Sequence, residues 1–322
     1  MRCTSKMIAK KLLCLCIAAL FVVGCGSEKA VLERPYSLSG SPVNGTSGSY
    51  FAQNLCVTEN FDYGLDQVDS QLAEGAGVFN LTKQQVEYSQ NLFGKLYPAS
   101  TTKILTAYII IRGGDPEDIV TVSDTALQGL SGTSVCGLQK GDKISVKNLL
   151  YGLLMVSGND AANVLAEYYS GSVEAFANVM NEEAKRLGAT KSHFVNANGL
   201  SDENHYTTVY DMYLIFQEAV KQKEFAQIIQ TDSIEVSYQD ANGQTVTKTW
   251  KNTCKYTNKE HAAPEGITVI GGKTGTTNAA GYCLVLYSVN TNGEQIVSIV
   301  FKADGRNNLY YLMDQLLKQF AD

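Results

Sequence analysis

Tyr97-Pro98-Ala99-Ser100-Thr101-Thr102-Lys103-Ile104-Leu105-Thr106-Ala107 opens a helical pattern with a serine and a lysine three positions apart, and no other Ser-x-x-Lys occurs in the 322-residue chain. On a helix the two side chains share a face, so the lysine amine can sit beside the serine hydroxyl. An amine whose pKa is depressed by burial or by a neighbouring cation can take the hydroxyl proton, which makes a serine nucleophile without histidine. The plainer alternative for these four residues is an N-capped helix start with a solvated lysine.

Two later segments bear on the choice. Tyr151-Gly152-Leu153-Leu154-Met155-Val156-Ser157-Gly158-Asn159-Asp160-Ala161-Ala162 sets a polar Ser-Gly-Asn between two apolar helical patterns, with a glycine that lets the chain turn sharply. A polar triplet so placed can face a cleft, or can be an ordinary helix-breaking turn. Gly271-Gly272-Lys273-Thr274-Gly275-Thr276-Thr277 precedes the strand-like run Gly281 to Val289, so Lys273 and the threonine hydroxyls are expected on or beside a β-strand. Gly275 would let another backbone come close, although a solvated strand edge has the same composition.

In this order and spacing the three segments resemble the penicillin-binding D-alanyl-D-alanine carboxypeptidases, serine peptidases whose signature is Ser-x-x-Lys, Ser-x-Asn and Lys-Thr-Gly. The likeness extends to Pro98-Ala99, Gly141-Asp142-Lys143 leading into Leu149 to Leu154, and Asn159-Asp160-Ala161-Ala162. It continues through Asn198-Gly199-Leu200, Asn204-His205-Tyr206-Thr207-Thr208, Tyr210-Asp211-Met212 and Ala279 to Cys283, and runs from about residue 75 to the last residue. The resemblance implies an α+β fold of the serine β-lactamase/transpeptidase type, an antiparallel sheet packed by helices with a mostly helical subdomain. It also implies roles. Ser100 would attack the carbonyl between two terminal D-alanines of a peptidoglycan stem peptide, Lys103 would be the base, and Ser157 would relay a proton to the leaving amine. Asn159 would hold the substrate amide, while Lys273, Thr274 and Thr276 would bind the terminal carboxylate beside Gly275, with the backbone N–H groups of Ser100 and Thr276 as oxyanion hole. β-Lactams are the covalent inhibitors this chemistry implies, and no cofactor is expected.

Other readings use the same nucleophile. A β-lactamase of the common type carries Glu-x-x-Leu-Asn some way beyond its Ser-x-Asn, where this chain has Ser192-His193-Phe194-Val195-Asn196-Ala197-Asn198 and no such glutamate. An endopeptidase cleaving stem-peptide crosslinks needs the same residues and differs only in what the cleft admits. A non-catalytic β-lactam sensor is disfavoured by the intact Ser100, Lys103, Ser157, Asn159 and Lys273. Asn198-Gly199 reads as a turn, and His205 reads as a satisfied structural histidine rather than a catalytic one.

The chain begins with Arg2, Lys6, Lys10 and Lys11, runs on through the apolar Leu12 to Val23, and reaches Val22-Val23-Gly24-Cys25. The apolar run is too short to span a bilayer comfortably. Together these features resemble a bacterial lipoprotein signal over residues 1–24, with Cys25 lipidated and the protein held on the outer face of the cytoplasmic membrane by more than one acyl chain; an ordinary secretory signal is the alternative. Residues 25–54, rich in Gly, Ser and Pro, read as a flexible tether. The catalytic domain is expected over residues 55–322, ending in a helix with no further β-rich domain.

Loss of residues 1–24 would take the formal charge from −6 to −10, because that segment holds four basic residues and no acid. So acidic a chain is a poor partner for nucleic acid. Beyond Cys25 lie Cys56, Cys136, Cys254 and Cys283, an even number that permits disulfides in an exported protein. Cys283 lies inside an apolar strand pattern, where a buried free thiol is expected. No cysteine has metal-ligand spacing, and with only three histidines and no His-Glu-x-x-His no metal site is expected.

Coarse periodicity places a hairpin at Gly77–Leu81 and Gln85–Tyr88, and helices over Thr101–Ile111, Val146–Val156, Ala161–Tyr169 and Val173–Leu187. A second hairpin turns at Asp240-Ala241-Asn242-Gly243 and a third at Asn292-Gly293. Leu309, Leu312, Met313, Leu316, Leu317 and Phe320 form one face of a closing helix. Strands early, helices between, and strands with a helix late would bring the two ends of the domain onto one sheet.

Overall fold

The computed structural model describes residues 54–321. The expected signal, Cys25 and nearly all of the expected tether lie outside the described residues. Nine strands and seven α-helices are present among the described residues, in two antiparallel sheets. The strands are β1 (Gly75–Asn80), β2 (Gln85–Gln90), β3 (Ile119–Thr121), β4 (Lys143–Ser145), β5 (Ser233–Gln239), β6 (Thr245–Lys251), β7 (Thr268–Thr277), β8 (Gly281–Val289) and β9 (Gln295–Ala303). The helices are α1 (Lys103–Gly113), α2 (Val146–Leu154), α3 (Asn159–Ser170), α4 (Val173–Arg186), α5 (Val209–Ala219), α6 (Lys223–Gln230) and α7 (Arg306–Phe320).

The larger sheet has the order β2-β1-β9-β8-β7. β1 pairs with β9, Gly75 opposite Phe301 and Asn80 opposite Ile296, so the early hairpin and the late strands form one sheet as the element order suggests. Side chains along a strand alternate between faces, and here both faces are covered. Phe79, Val285, Val297, Ile299 and Phe301 pack toward Ile104, Leu105, Met212 and Phe216 of the helical layer. Val78, Leu284, Leu286 and Val300 pack instead on Leu309, Leu312, Met313, Leu316 and Leu317 of α7. A sheet buried on both sides needs apolar residues at nearly every position, which is why β8 and β9 read as continuous apolar runs and not as alternating ones.

Two elements differ from the expectation. The β5–β6 hairpin belongs to a second sheet of order β3-β4-β5-β6, to which two three-residue strands contribute. Three residues are too few to carry a period of two, so β3 and β4 leave no signal in the sequence. The helix expected from Thr101 begins as a 3₁₀ turn over Ala99–Thr102, tighter than an α-helix, and passes into α1 at Lys103. Cys56, Cys136, Cys254 and Cys283 are all buried free thiols.

The starts of α2, α4 and α5 are capped by Ser145, Ser172 and Thr208, whose hydroxyls accept the N–H groups of Asn148, Ala175 and Asp211. At α3 the device is larger. Asp160, in its first turn and 1% exposed, accepts hydrogen bonds from the N–H groups of Cys136 and Ala161 at one oxygen and from those of Gly137 and Leu138 at the other. Loop 134–138 is thereby bound to the helix that presents Asn159. Asp160→Ala would leave these buried donors unpaired, a cost of about 2–4 kcal/mol. A fall in Tm of roughly 5–10 °C is expected in calorimetry, with Asp160→Asn falling less; an unchanged Tm would show the loop held by other means.

Candidate active site

Ser100 lies in the 3₁₀ turn, one residue after Ala99, whose φ of +47° is in the left-handed region. A non-glycine residue there is strained, and such strain persists only where surrounding contacts over-determine it. Two of those contacts are visible. Gly199, with φ of +86°, packs so closely that a Cβ on it would stand 1.9 Å from the Ala99 carbonyl oxygen. On the other side β7 runs against the turn, and a Cβ on Gly275 would stand 2.9 Å from the Ser100 nitrogen. Both positions therefore require glycine for close approach.

Lys103, one helical turn beyond Ser100, is fully buried. Its Nζ donates to Asn159 Oδ1 and to the Asn198 carbonyl, each at 2.6 Å, and stands 3.1 Å from Ser100 Oγ. Burial and, after it, the nearby Lys273 charge push its pKa well below the ordinary lysine value. A neutral amine has two N–H donors and one lone pair. The two short contacts to acceptor oxygens use the donors, which leaves the lone pair for the third partner, the Ser100 hydroxyl. The geometry is that of a base beside a nucleophile.

Ser157, with φ of +63°, turns the chain between α2 and α3. Its Oγ accepts a hydrogen bond of 3.0 Å from Lys273 Nζ, which also donates to the Thr274 carbonyl at 2.7 Å. Lys273 is fully buried, and burial pushes its pKa down to about 7. Thr274 Oγ1 meets Thr253 Oγ1 at 3.0 Å. Asn159 is fixed by its N–H, which donates to the Ser134 carbonyl at 2.8 Å, and by its side-chain contact with Lys103.

Every residue expected here other than Cys25, which lies outside the described residues, is thus brought to one place. Ser100, Ser134, Ser157, Thr274, Gly275 and Thr276 line a cleft of about 170 Å³, with the two lysines just beneath its surface. β7 is the edge strand of its sheet, so a strand-like ligand could add alongside it. The cleft is also walled by Thr253, Lys255, Arg306 and Tyr310, none of which the sequence singled out. Arg306 and Tyr310 sit on α7, read in the sequence only for its apolar face. The Asn198 carbonyl was equally hidden, since a backbone acceptor carries no side-chain signature. His205 and Asp211 are away from the cleft. Asp211 accepts from Lys191 N and Ser192 Oγ, and His205 lies buried behind the Ala99–Thr102 turn. Among the described residues no group of three or more His, Cys, Asp or Glu converges as a metal site would require.

The family model described as D-alanyl-D-alanine carboxypeptidase matches residues 66–305. D-alanyl-D-alanine carboxypeptidase DacF of Bacillus subtilis is 32% identical over 237 residues, covering 72% of this chain and 57% of the relative. DacC of Escherichia coli is 33% identical over 219 residues, covering 65% and 51%. The chain thus spans little more than half the length of these curated relatives. Among solved structures, the Streptomyces K15 DD-transpeptidase is similar with a TM-score of 0.69 and 27% identity, over 76% of this chain and 96% of that one. A putative penicillin-binding protein homolog from Mycobacterium tuberculosis is similar with a TM-score of 0.67 and 28% identity, over 77% and 92%. The α+β architecture is therefore that of the penicillin-binding DD-transpeptidase fold, and with the family model spanning most of its length the chain belongs to the D-alanyl-D-alanine carboxypeptidase family.

Proposed function

We propose that the protein is a serine-type D-alanyl-D-alanine carboxypeptidase that removes the terminal D-alanine from peptidoglycan stem peptides through an acyl-enzyme. The observation that carries this reading is the buried Lys103 amine, its two N–H groups taken by oxygen atoms and its remaining face 3.1 Å from Ser100 Oγ. Ser100 Oγ forms a bond to the carbonyl carbon of the penultimate D-alanine as its proton passes to Lys103. The C–N bond then breaks, and Ser157, linked to Lys273, delivers a proton to the departing amine. Water attacks the resulting ester and returns Ser100.

Asn159 and Gly275 fit the substrate backbone between α3 and β7. The Lys273 charge, with the Thr274 and Thr276 hydroxyls, draws the terminal carboxylate to the end of the cleft, while the N–H groups of Ser100 and Thr276 meet the developing oxyanion. β-Lactams would acylate Ser100 in the same way. The catalytic domain spans residues 55–322 in this reading. Its substrate lies outside the cytoplasmic membrane, and the basic start, the short apolar run and Gly24-Cys25 support export with a lipid anchor on Cys25 and residues 25–54 as tether. Among the described residues no helix is long and apolar enough to cross a membrane.

Intact-mass spectrometry after addition of benzylpenicillin is expected to give one long-lived adduct on the wild type and none on Ser100→Ala, with D-alanine release lost in parallel. An adduct that persists on Ser100→Ala sinks the assignment, and an adduct that vanishes within seconds with drug hydrolysis replaces it by a β-lactamase.

The pH dependence follows from Lys273. With its pKa near 7 in the free enzyme, the amine loses its charge as pH rises through that value and with it the hold on a carboxylate. kcat/KM for a D-Ala-D-Ala peptide should therefore fall on the alkaline side from about pH 7, and on the acid side where Lys103 takes a proton. Lys273→Gln should remove the alkaline limb and lower kcat/KM by at least about tenfold. An alkaline limb that survives the substitution assigns it to another group.

A further inference from the structure

His205 is 1% exposed and touches no part of the cleft, yet it links two segments that build it. The Val195 N–H donates to its Nδ1 at 3.2 Å, and its Nε2 stands 2.8 Å from Thr102 Oγ1. An Nδ1 that accepts cannot carry hydrogen, so the ring is neutral with its proton on Nε2, which donates to Thr102. Thr102 is the last residue of the 3₁₀ turn that begins with Ala99-Ser100. Val195 starts the segment whose Ala197 carbonyl accepts from Thr106 Oγ1, whose Asn198 carbonyl accepts from Lys103 Nζ, and whose Gly199 lies against Ala99. The imidazole therefore sets the spacing between the nucleophile turn and the backbone that orients its base.

We propose that neutral His205 is a positioning residue for Ser100 and Lys103, and that a proton on its Nδ1 breaks the bridge to Val195 and releases the nucleophile turn. The proposal rests on the acyl-enzyme reading above. A proton on Nδ1 would point at the Val195 N–H, turning an acceptor into a second donor with no acceptor between them. The surroundings give little compensation. The Phe194 ring lies edge-on at 5.4 Å, and the charged or titratable groups that act on His205 are Asp202, which favours a proton, and His193 and Lys103, which oppose it. Asp202 is exposed, and burial outweighs it, pushing the imidazole down to about 4. Glutamine can place an amide N–H near the Nε2 position and cannot take up a proton.

The experiment compares benzylpenicillin acylation rates of wild type, His205→Gln and His205→Ala from about pH 3.5 to about pH 7.5, a range that crosses the titration of the imidazole near 4, with folding checked by circular dichroism at each pH. The expected result is that His205→Ala lowers the acylation rate at neutral pH by about ten- to a hundredfold, through misplacement of the nucleophile, while reversible binding before acylation is little changed. His205→Gln should restore most of that rate and lose less of it in acid than the wild type; Lys103 titrates in both proteins, so the difference belongs to His205. A His205→Ala protein that folds and acylates at the wild-type rate overturns the proposal, as does an identical acid limb in wild type and His205→Gln. A second readout does not depend on catalysis. In ¹⁵N-labelled protein the His205 ring should remain in the Nε2–H form as pH falls, and the amides of Ala99 to Thr102 should shift together when it takes its proton. Amides that stay still overturn the proposal, whereas a wild type that forms no penicillin adduct but shows this coupled shift overturns only the acyl-enzyme reading.

Discussion

A lysine with no surface left in water needs oxygen atoms in place of the solvent it has lost, and around Lys103 those atoms come from three distant parts of the chain. Ser100 precedes it by one helical turn, Asn159 stands at the start of α3, and the Asn198 carbonyl belongs to the segment that follows α4. The amine is thus the point at which the turn carrying Ser100, the helical layer and the 195–199 segment are joined. Its low proton affinity and its position have one origin, since the protein that closes over it both desolvates it and supplies its partners. Lys273 is buried in the same way nearby, and its charge makes Lys103 harder still to protonate.

Bringing these groups together strains the backbone. Ala99 and Ser157, the residue before Ser100 and the serine of the second motif, both adopt left-handed φ values that side chains resist. What holds them is close packing of backbone on backbone at Gly199 and Gly275 and the paired contacts of Asp160 with loop 136–138. The supports of the site lie on helices and on a sheet buried on both faces, while the cleft wall, Ser134, Thr253, Thr276 and Arg306 among it, meets water.

Much of this is legible in the amino-acid sequence, for physical reasons that differ from place to place. The hairpins β1–β2, β5–β6 and β8–β9 carry turn residues between alternating or apolar strand-like runs, and α7 carries an apolar stripe of 3.6-residue period, so each is a local signal. The meeting of Ser100, Ser157, Asn159 and Lys273 is not local; it was legible only through the likeness of three short motifs. Three things stayed hidden. β3 and β4 are too short to show a period, the role of the Asn198 carbonyl is carried by an atom every residue has, and the place of Arg306 in the cleft depends on how α7 lies over the sheet. His205 read as a structural histidine, and its ring is indeed buried and satisfied; what the sequence withheld is that its partner Thr102 sits in the same turn as Ser100.

The pairing of β1 with β9 also bears on how the chain reaches its fold. Gly75 finds Phe301 and Asn80 finds Ile296, partners more than two hundred residues apart. Contacts of such sequence separation close large loops, and their entropic cost must be met before any of the burial they bring is gained. The sheet that carries Lys273 at its edge cannot be completed until the last strand and α7 have left the ribosome, and until then β1 and β8 each present an unpaired edge. The cleft therefore depends on contacts that can form only once β9 and α7 are available, and a chain cut short before Gln295 would hold all three motifs without the completed sheet.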